Sequence, residues 1–231
     1  MANILDILIE FLKEVEKNNP YKLVLKGGTA LSIYYLNRHR ESEDLDFDAD
    51  IHLINSYKEI EKYFIEILNS LKSKNILKSY LITKSEFSSK NRAHINLILE
   101  THKKFQTKID LDFVNTHKNL NNKNQLLLYS NEFLFVNKSL AFIGRKEFKD
   151  LHDISHLIKL IDISKIEKKE EVADLISKVI NCINEEDIKE IYKSAFRNID
   201  MKFKDLNESN LETFMNKTIK SLRILINNLK K

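Results

Sequence analysis

Residues 41–48, "ESEDLDFD", carry five carboxylates in eight positions, and about a dozen residues upstream "KGGTAL" sets two of the chain's three glycines side by side. In a β-strand alternate side chains share a face, so Asp44, Asp46 and Asp48 point one way, with the Cα atoms of Asp44 and Asp46 ~6.6 Å apart. Like charges so placed repel unless a cation intervenes. Hard divalent cations favour such oxygen ligands, and magnesium binds through one or two carboxylates plus substrate phosphates. A second acidic stretch, "KIDLDF", sets Asp110 and Asp112 on one face by the same alternation. Were it to pair beside the first, three or four carboxylates would converge. That suffices for two ions ~3.5–4 Å apart, an arrangement used for in-line displacement at phosphorus.

The glycines fit the same chemistry. A strand–Gly27-Gly28–helix turn bares backbone amides, and a helix N-terminus adds partial positive charge suited to phosphate. Glycine permits the turn and a close approach. Each feature alone has a structural explanation: a Gly-Gly turn is ordinary, and acidic strands guard sheet edges. Order and spacing taken together favour a nucleotide–metal site.

These residues need elements to hold them. Ile4, Leu8, Phe11, Leu12 and Val15 recur at helical spacing, so 2–18 reads as an amphipathic helix, ended by Pro20. Strands are expected at 21–26, 44–50, 76–83, 93–100 and 107–114, with the last two forming a hairpin across "THKKFQ". Helices are expected at 29–37 and 56–74, and from residue 131 onward helical period dominates. The reading is an α/β (α+β) chain. A mixed-sheet domain over 1–118 is followed by a helical C-terminal domain over 119–231 that completes the active-site cleft.

Composition agrees with a folded chain. Hydrophobic residues make up 42% and charged residues 31% of 231, and net charge is +4, which permits a nucleic-acid partner without demanding one. The single Cys182 excludes a disulfide framework and a cysteine-based zinc site. The first residues carry Asp6, Glu10 and Glu14 and do not read as a signal peptide, and no apolar run approaches the ~20 residues of a membrane span. A cytoplasmic protein with no membrane partner is expected.

"KGGTAL", then Arg40, Ser42, Asp44, Leu45, Asp46 and Phe47 in order, resembles the GGTAL…R-x-S-x-DLDF signature of AbiEii/AbiGii-type nucleotidyltransferases, within the polymerase-β-like superfamily. That group includes toxin halves of type IV toxin–antitoxin and abortive-infection systems, among them the MenT type. "NKSLAFIGRKEFKDLHDISHL" (137–157) resembles the group's later helical segment, through Lys138, Ala141, Arg145, Lys149, Asp150 and Asp153. The likeness spans residues 21 to 160.

It implies a polymerase-β-like nucleotidyltransferase fold and Mg²⁺, with Mn²⁺ as a substitute. It also implies an NTP substrate, an RNA acceptor such as the tRNA 3′ end, and a cognate antitoxin protein. Asp44, Asp46 and Asp110 would ligate metal, Asp112 being the alternative third acid. Gly27, Gly28 and Thr29 would hold phosphates, with Lys138 neutralising their charge. Arg40 and Ser42 would touch the triphosphate or fix the turn, and Arg145 would reach the nucleotide. Asp150 would assist catalysis or orient Lys138 and Arg145; Asp153 reads as structural. Two other functions stay open: transfer to a protein side chain, and a catalytically idle nucleotide- or RNA-binding module.

Other features are read as structural. His152 and His156 have a zinc-like spacing but no evident third ligand. Cys182 reads as core. The Lys/Arg face of "MNKTIKSLRILINNLKK" reads as solvated, with RNA contact as its alternative. Arg92 and His94 receive no role.

Overall fold

The computed structural model describes residues 3–88, 91–115, 120–123, 126–185, 203, 206 and 210–231. The chain forms two compact units, one of Met1–Tyr34 with Ser42–Tyr129, the other of Tyr35–Glu41 with Ser130–Lys231. The boundary expected at 118/119 thus falls after Tyr129, and a seven-residue piece of the early chain belongs to the second unit.

The first unit is built on a seven-stranded mixed sheet. Its strands are β1 (Val24–Lys26), β2 (Leu45–Asp50), β3 (Ser79–Ser88), β4 (Arg92–Glu100), β5 (Lys104–Val114), β6 (Leu120–Lys123) and β7 (Leu126–Tyr129). Their order is β3-β4-β5-β2-β1-β7-β6. The expected hairpin is present, with Glu100 opposite Lys104. β2 runs parallel to β5 and antiparallel to β1, while β7 joins β1 in parallel. The β6–β7 pair extends the sheet past residue 118 and so moves the domain boundary.

Helix α1 (Ile4–Lys17) opens with a capping box between Asn3 and Asp6, and buries Ile7, Leu8, Phe11, Leu12 and Val15. Helix α3 (Tyr57–Ser73) buries Ile60, Phe64, Ile67, Leu68 and Leu71. Phe64 stacks on Phe11 at 5.9 Å and on Phe47 of β2 at 6.3 Å, so these helices cover the face that carries Phe47. Glu14 ties α1 to α3, accepting from Ser70 (2.6 Å) and Lys74 (2.5 Å). Period-two alternation then leaves the aspartates of β2 and β5 on the opposite face.

In the second unit, α4 (Asn131–Arg145) packs on α5 (Phe148–Leu157) and α6 (Lys169–Glu185), and α6 packs on α7 (Leu211–Leu229). Leu211, Met215, Leu222, Leu225 and Leu229 line the buried stripe of α7, while Lys217, Lys220 and Arg223 are exposed, as expected for a solvated basic face. Cys182, expected in the core, is only half-buried on α6. No described helix is long and apolar enough to cross a membrane.

Candidate active site

The site in the first unit grows from strand register. β2 and β5 pair in parallel with Asp46 opposite Asp110 and Asp48 opposite Asp112. The antiparallel neighbours extend both rungs: Lys26 and His94 flank the first, Val24 and Arg92 the second. One face therefore reads Lys26–Asp46–Asp110–His94 across four strands, then Val24–Asp48–Asp112–Arg92. The intervening rung, Leu25–Phe47–Leu111–Ala93, is the core face, and all four residues are buried.

Cations divide these carboxylates into two sets. Lys26 Nζ bridges Asp48 and Asp112 (2.5 Å to Asp112), Arg92 adds a second bond to Asp112 at 2.6 Å, and Tyr129 donates its hydroxyl to Asp48. Burial pushes Lys26 towards neutrality, but the charges and hydrogen bonds of Asp48 and Asp112 outweigh it and raise its pKa. The other set is Asp44, Asp46 and Asp110. Lys108 Nζ lies 2.7 Å from Asp110 and 3.7 Å from Asp44, and His94 Nδ1 lies 2.5 Å from Asp110. Burial pushes Asp110 up, yet hydrogen bonds with Lys108 and His94 prevail and hold its carboxyl below the usual range.

Gly27 follows Lys26 directly and has φ +73°, a left-handed conformation that glycine adopts without strain. A Cβ there would overlap Asp46 Oδ2 and lie 2.8 Å from its Cγ. The close approach that demands glycine is therefore made by Asp46. Helix α2 (Gly27–Ala30) passes into a π-turn over Leu31–Tyr35, replacing the single helix expected over 29–37. Thr29 is buried; its hydroxyl donates to the Asp44 carbonyl and lies 2.9 Å from Ser42 Oγ. Thr29 and Ser42 thus fix where β2 begins, and Gly28 is buried beside them.

The remaining expected residues lie in the second unit. Arg40 forms a two-pronged pair with Asp153 (2.7 and 2.8 Å), both side chains almost wholly buried. Asp153 also meets His39 at 2.7 Å and Lys138 at 2.8 Å, and these partners hold its carboxyl well below the usual range against the opposing effect of burial. Asp150, fully buried, accepts two bonds from Arg145 (2.6 and 2.7 Å) and one from Lys138 (3.3 Å). It orients both cations. Lys138 is mostly buried between two aspartates, whereas 46% of the Arg145 side chain is exposed.

Among the described residues two donor sets could be asked to hold a metal. Asp44, Asp46 and Asp110 offer only hard oxygens on one face of the paired strands, with Lys108 between Asp44 and Asp110, a donor set that suits Mg²⁺. His39, His152 and Asp153 bring ligand-type atoms within 4.8 Å of one another. Here Asp153 is fully buried against the buried Arg40 and Lys138, which cannot swing out to solvent, whereas the half-exposed Lys108 can yield its place to a metal ion. The carboxylate set is the better fit. His152, expected to be structural, is fully buried between Phe148 and Phe214, and burial lowers its pKa to about 2.

Sequence reasoning missed Lys26, Lys108 and the partners Arg92 and His94. Period two alone could have put Lys108 on the face of Asp110; which residues sit across the rungs depends on register, which the sequence does not carry.

Comparison with known proteins agrees with this architecture. The chain resembles an H. pylori protein taken to be a nucleotidyltransferase (TM-score 0.69, 20% identity, 99% of this chain and 95% of that one). It also resembles JHP933 from Helicobacter pylori (0.64, 23%, 97% and 90%). A third similar structure is MenT4, a nucleotidyltransferase toxin from Mycobacterium tuberculosis H37Rv (0.54, 16%, 98% and 85%). At these identities the likeness establishes the fold. No curated protein matches. The family described as nucleotidyl transferase AbiEii toxin, type IV toxin–antitoxin system, matches residues 10–221, and with that span covered the chain belongs to the AbiEii nucleotidyltransferase toxin family.

Proposed function

We propose that the chain transfers a nucleoside monophosphate from an NTP to a hydroxyl of an RNA acceptor, the tRNA 3′ end, with release of pyrophosphate. It acts as a toxin restrained by a cognate antitoxin protein. The observation that carries this reading is the parallel register placing Asp46 opposite Asp110, with Asp44 joined to Asp110 through Lys108, directly beside Gly27.

Asp44, Asp46 and Asp110 would hold Mg²⁺, or Mn²⁺ in its place, which supplies neutralisation of charge developing on the transferred phosphoryl group. The backbone around Gly27, Gly28 and Thr29 receives the β- and γ-phosphates. Asp110 accepts the proton of the attacking hydroxyl; the ammonium of Lys108 and the imidazole of His94 keep it ionised and oriented until then. Asp112 lies opposite Asp48 rather than Asp46 and is tied to it through Lys26, which makes it the weaker candidate for that role. Lys138 and Arg145 neutralise phosphate charge, with Asp150 orienting both. Arg40 serves Asp153 rather than the triphosphate.

The test incubates the protein with each labelled NTP, Mg²⁺ and total RNA. Label should reach RNA with wild type and not with Asp44→Ala/Asp46→Ala. Equal labelling by both proteins overturns the proposal, and label found on protein instead of RNA removes the RNA acceptor.

A further inference from the structure

On the carboxylate face of the sheet, beyond β5 as seen from Gly27, lies a cavity of about 370 Å³ lined by Glu43, Asp44, Thr83, Asn96, Gln106 and Lys108. Register explains these neighbours. Asn96 pairs with Lys108, and Gln106 pairs with Ile98, two rungs further from Asp110. Asn96, Gln106, Lys108 and Asp110 therefore share a face. Thr83 stands where β3 shifts register between Ile82 and Lys84, and its hydroxyl donates to the Asn96 carbonyl at 3.3 Å. The volume lies within the ~300–1,000 Å³ of small-molecule sites.

Its chemistry is that of nucleotide reading. The side-chain amides of Asn96 and Gln106 take no part in the hydrogen bonds among described residues, and such amides pair with the donor–acceptor edge of a base. Lys108 supplies a point charge for a phosphate. Position decides which nucleotide. In-line displacement needs the attacking hydroxyl and the departing pyrophosphate on opposite sides of the phosphorus. Gly27–Thr29 follow β1 and flank one edge of the β2–β5 carboxylates, and the cavity flanks the other.

We propose that this cavity is the acceptor subsite, holding the 3′-terminal nucleotide of the RNA with its base read by Asn96 and Gln106. Its hydroxyl is thereby delivered beside Asp110. This rests on the nucleotidyl-transfer reading above, and supplies it with a source of acceptor selectivity separate from the choice of NTP.

Two measurements test the subsite and keep its failure apart from failure of the transfer reading. In the first, four oligoribonucleotides differing only in their 3′-terminal base are labelled by wild type, Asn96→Leu and Gln106→Leu. Wild type should prefer one terminus. The variants should raise KM for that RNA about tenfold, the discrimination lost with a base-reading amide, and leave KM for the NTP unchanged. In the second, dinucleoside monophosphates are titrated without NTP or metal while the amide NMR signals are followed. The side-chain amides of Asn96 and Gln106 should shift, and the backbone amides of Gly27–Thr29 should not. Indifference to the terminal base with unchanged KM overturns the subsite, as does a titration that leaves both side-chain amides still. If transfer is absent but the side-chain amides respond, the transfer reading falls and the acceptor role with it, and the cavity is a nucleotide-binding site alone.

Discussion

Gly27 and His152 show how single positions are constrained by opposite means. Gly27 combines a left-handed φ with the Asp46 carboxylate lying against its Cα, so Gly27→Ala must distort both the turn and a proposed metal ligand. That substitution should cost on the order of 1–3 kcal/mol in urea unfolding. Gly144, in the last turn of α4, is the control: a Cβ there meets nothing within 4 Å. Gly144→Ala should stabilise by up to ~1 kcal/mol, the helix-propensity gain. Equal effects at the two positions would contradict the geometry. His152 is constrained by desolvation. Its pKa falls from 6.5 to about 2 on folding, so the unfolded chain binds a proton below pH 6.5 that the folded chain refuses. Stability is therefore complete above that pH and is lost as pH falls towards 2. Between pH 7 and 5 wild type should lose roughly 2 kcal/mol more than His152→Phe. Parallel stability–pH curves for the two proteins would show that the imidazole is already solvated.

At the level of elements, what decides the site is which carboxylate of β5 faces which of β2. Both Asp110 and Asp112 point to the active face, and alternation in the sequence could not separate them. The structure separates them by register: Asp110 lies opposite Asp46 and shares Lys108 with Asp44, whereas Asp112 lies opposite Asp48 and shares Lys26 with it. Asp110→Asn should lower kcat for label transfer by at least on the order of 100-fold, as loss of a group acting on the transition state does. Asp112→Asn should act much less, and mainly through stability. Reversed magnitudes would make Asp112 the third acid. The elements that were legible were those with strong period. α1, α3 and the β4–β5 hairpin follow from apolar spacing, and "DLDFDAD" announces β2. β6 was not legible, because "LNNK" has no alternating pattern and its Asn residues favour turns. It forms a strand by pairing with β7, which is itself placed by β1. β3, expected at 76–83, lies at 79–88, since pairing with β4 outweighs the local pattern. The Gly-Gly turn was legible as a place needing glycine, but the neighbour that imposes the need, Asp46, was not.

For the molecule as a whole, chain path matters more than sequence order. Tyr35–Glu41 belongs to the helical unit although the residues on either side of it belong to the sheet unit, so the chain crosses between the units three times. Within the helical unit that segment is held by Arg40 and His39 on Asp153, in a buried set that also includes Lys138. A buried carboxylate between cations contributes little net energy when complete, yet removing one partner strands a charge, at a cost of about 3–5 kcal/mol. Asp153→Asn should therefore destabilise the helical unit by roughly that amount. Amide hydrogen exchange should rise together in 35–41 and 148–157, two segments far apart in sequence that share this carboxylate. Arg40→Met/Asp153→Leu, which removes the main pair together, should recover much of the loss, because apolar replacement of a complete buried pair is often tolerated. The core amides of β2 and β5 should keep their protection in Asp153→Asn, since Phe47, Leu111 and Phe64 hold that sheet independently of the pair. Loss of protection in β2 and β5 at the same denaturant concentration as in α5 would mean that the two units unfold as one cooperative body, and that Arg40 and Asp153 stabilise the carboxylate strands as well as the helices.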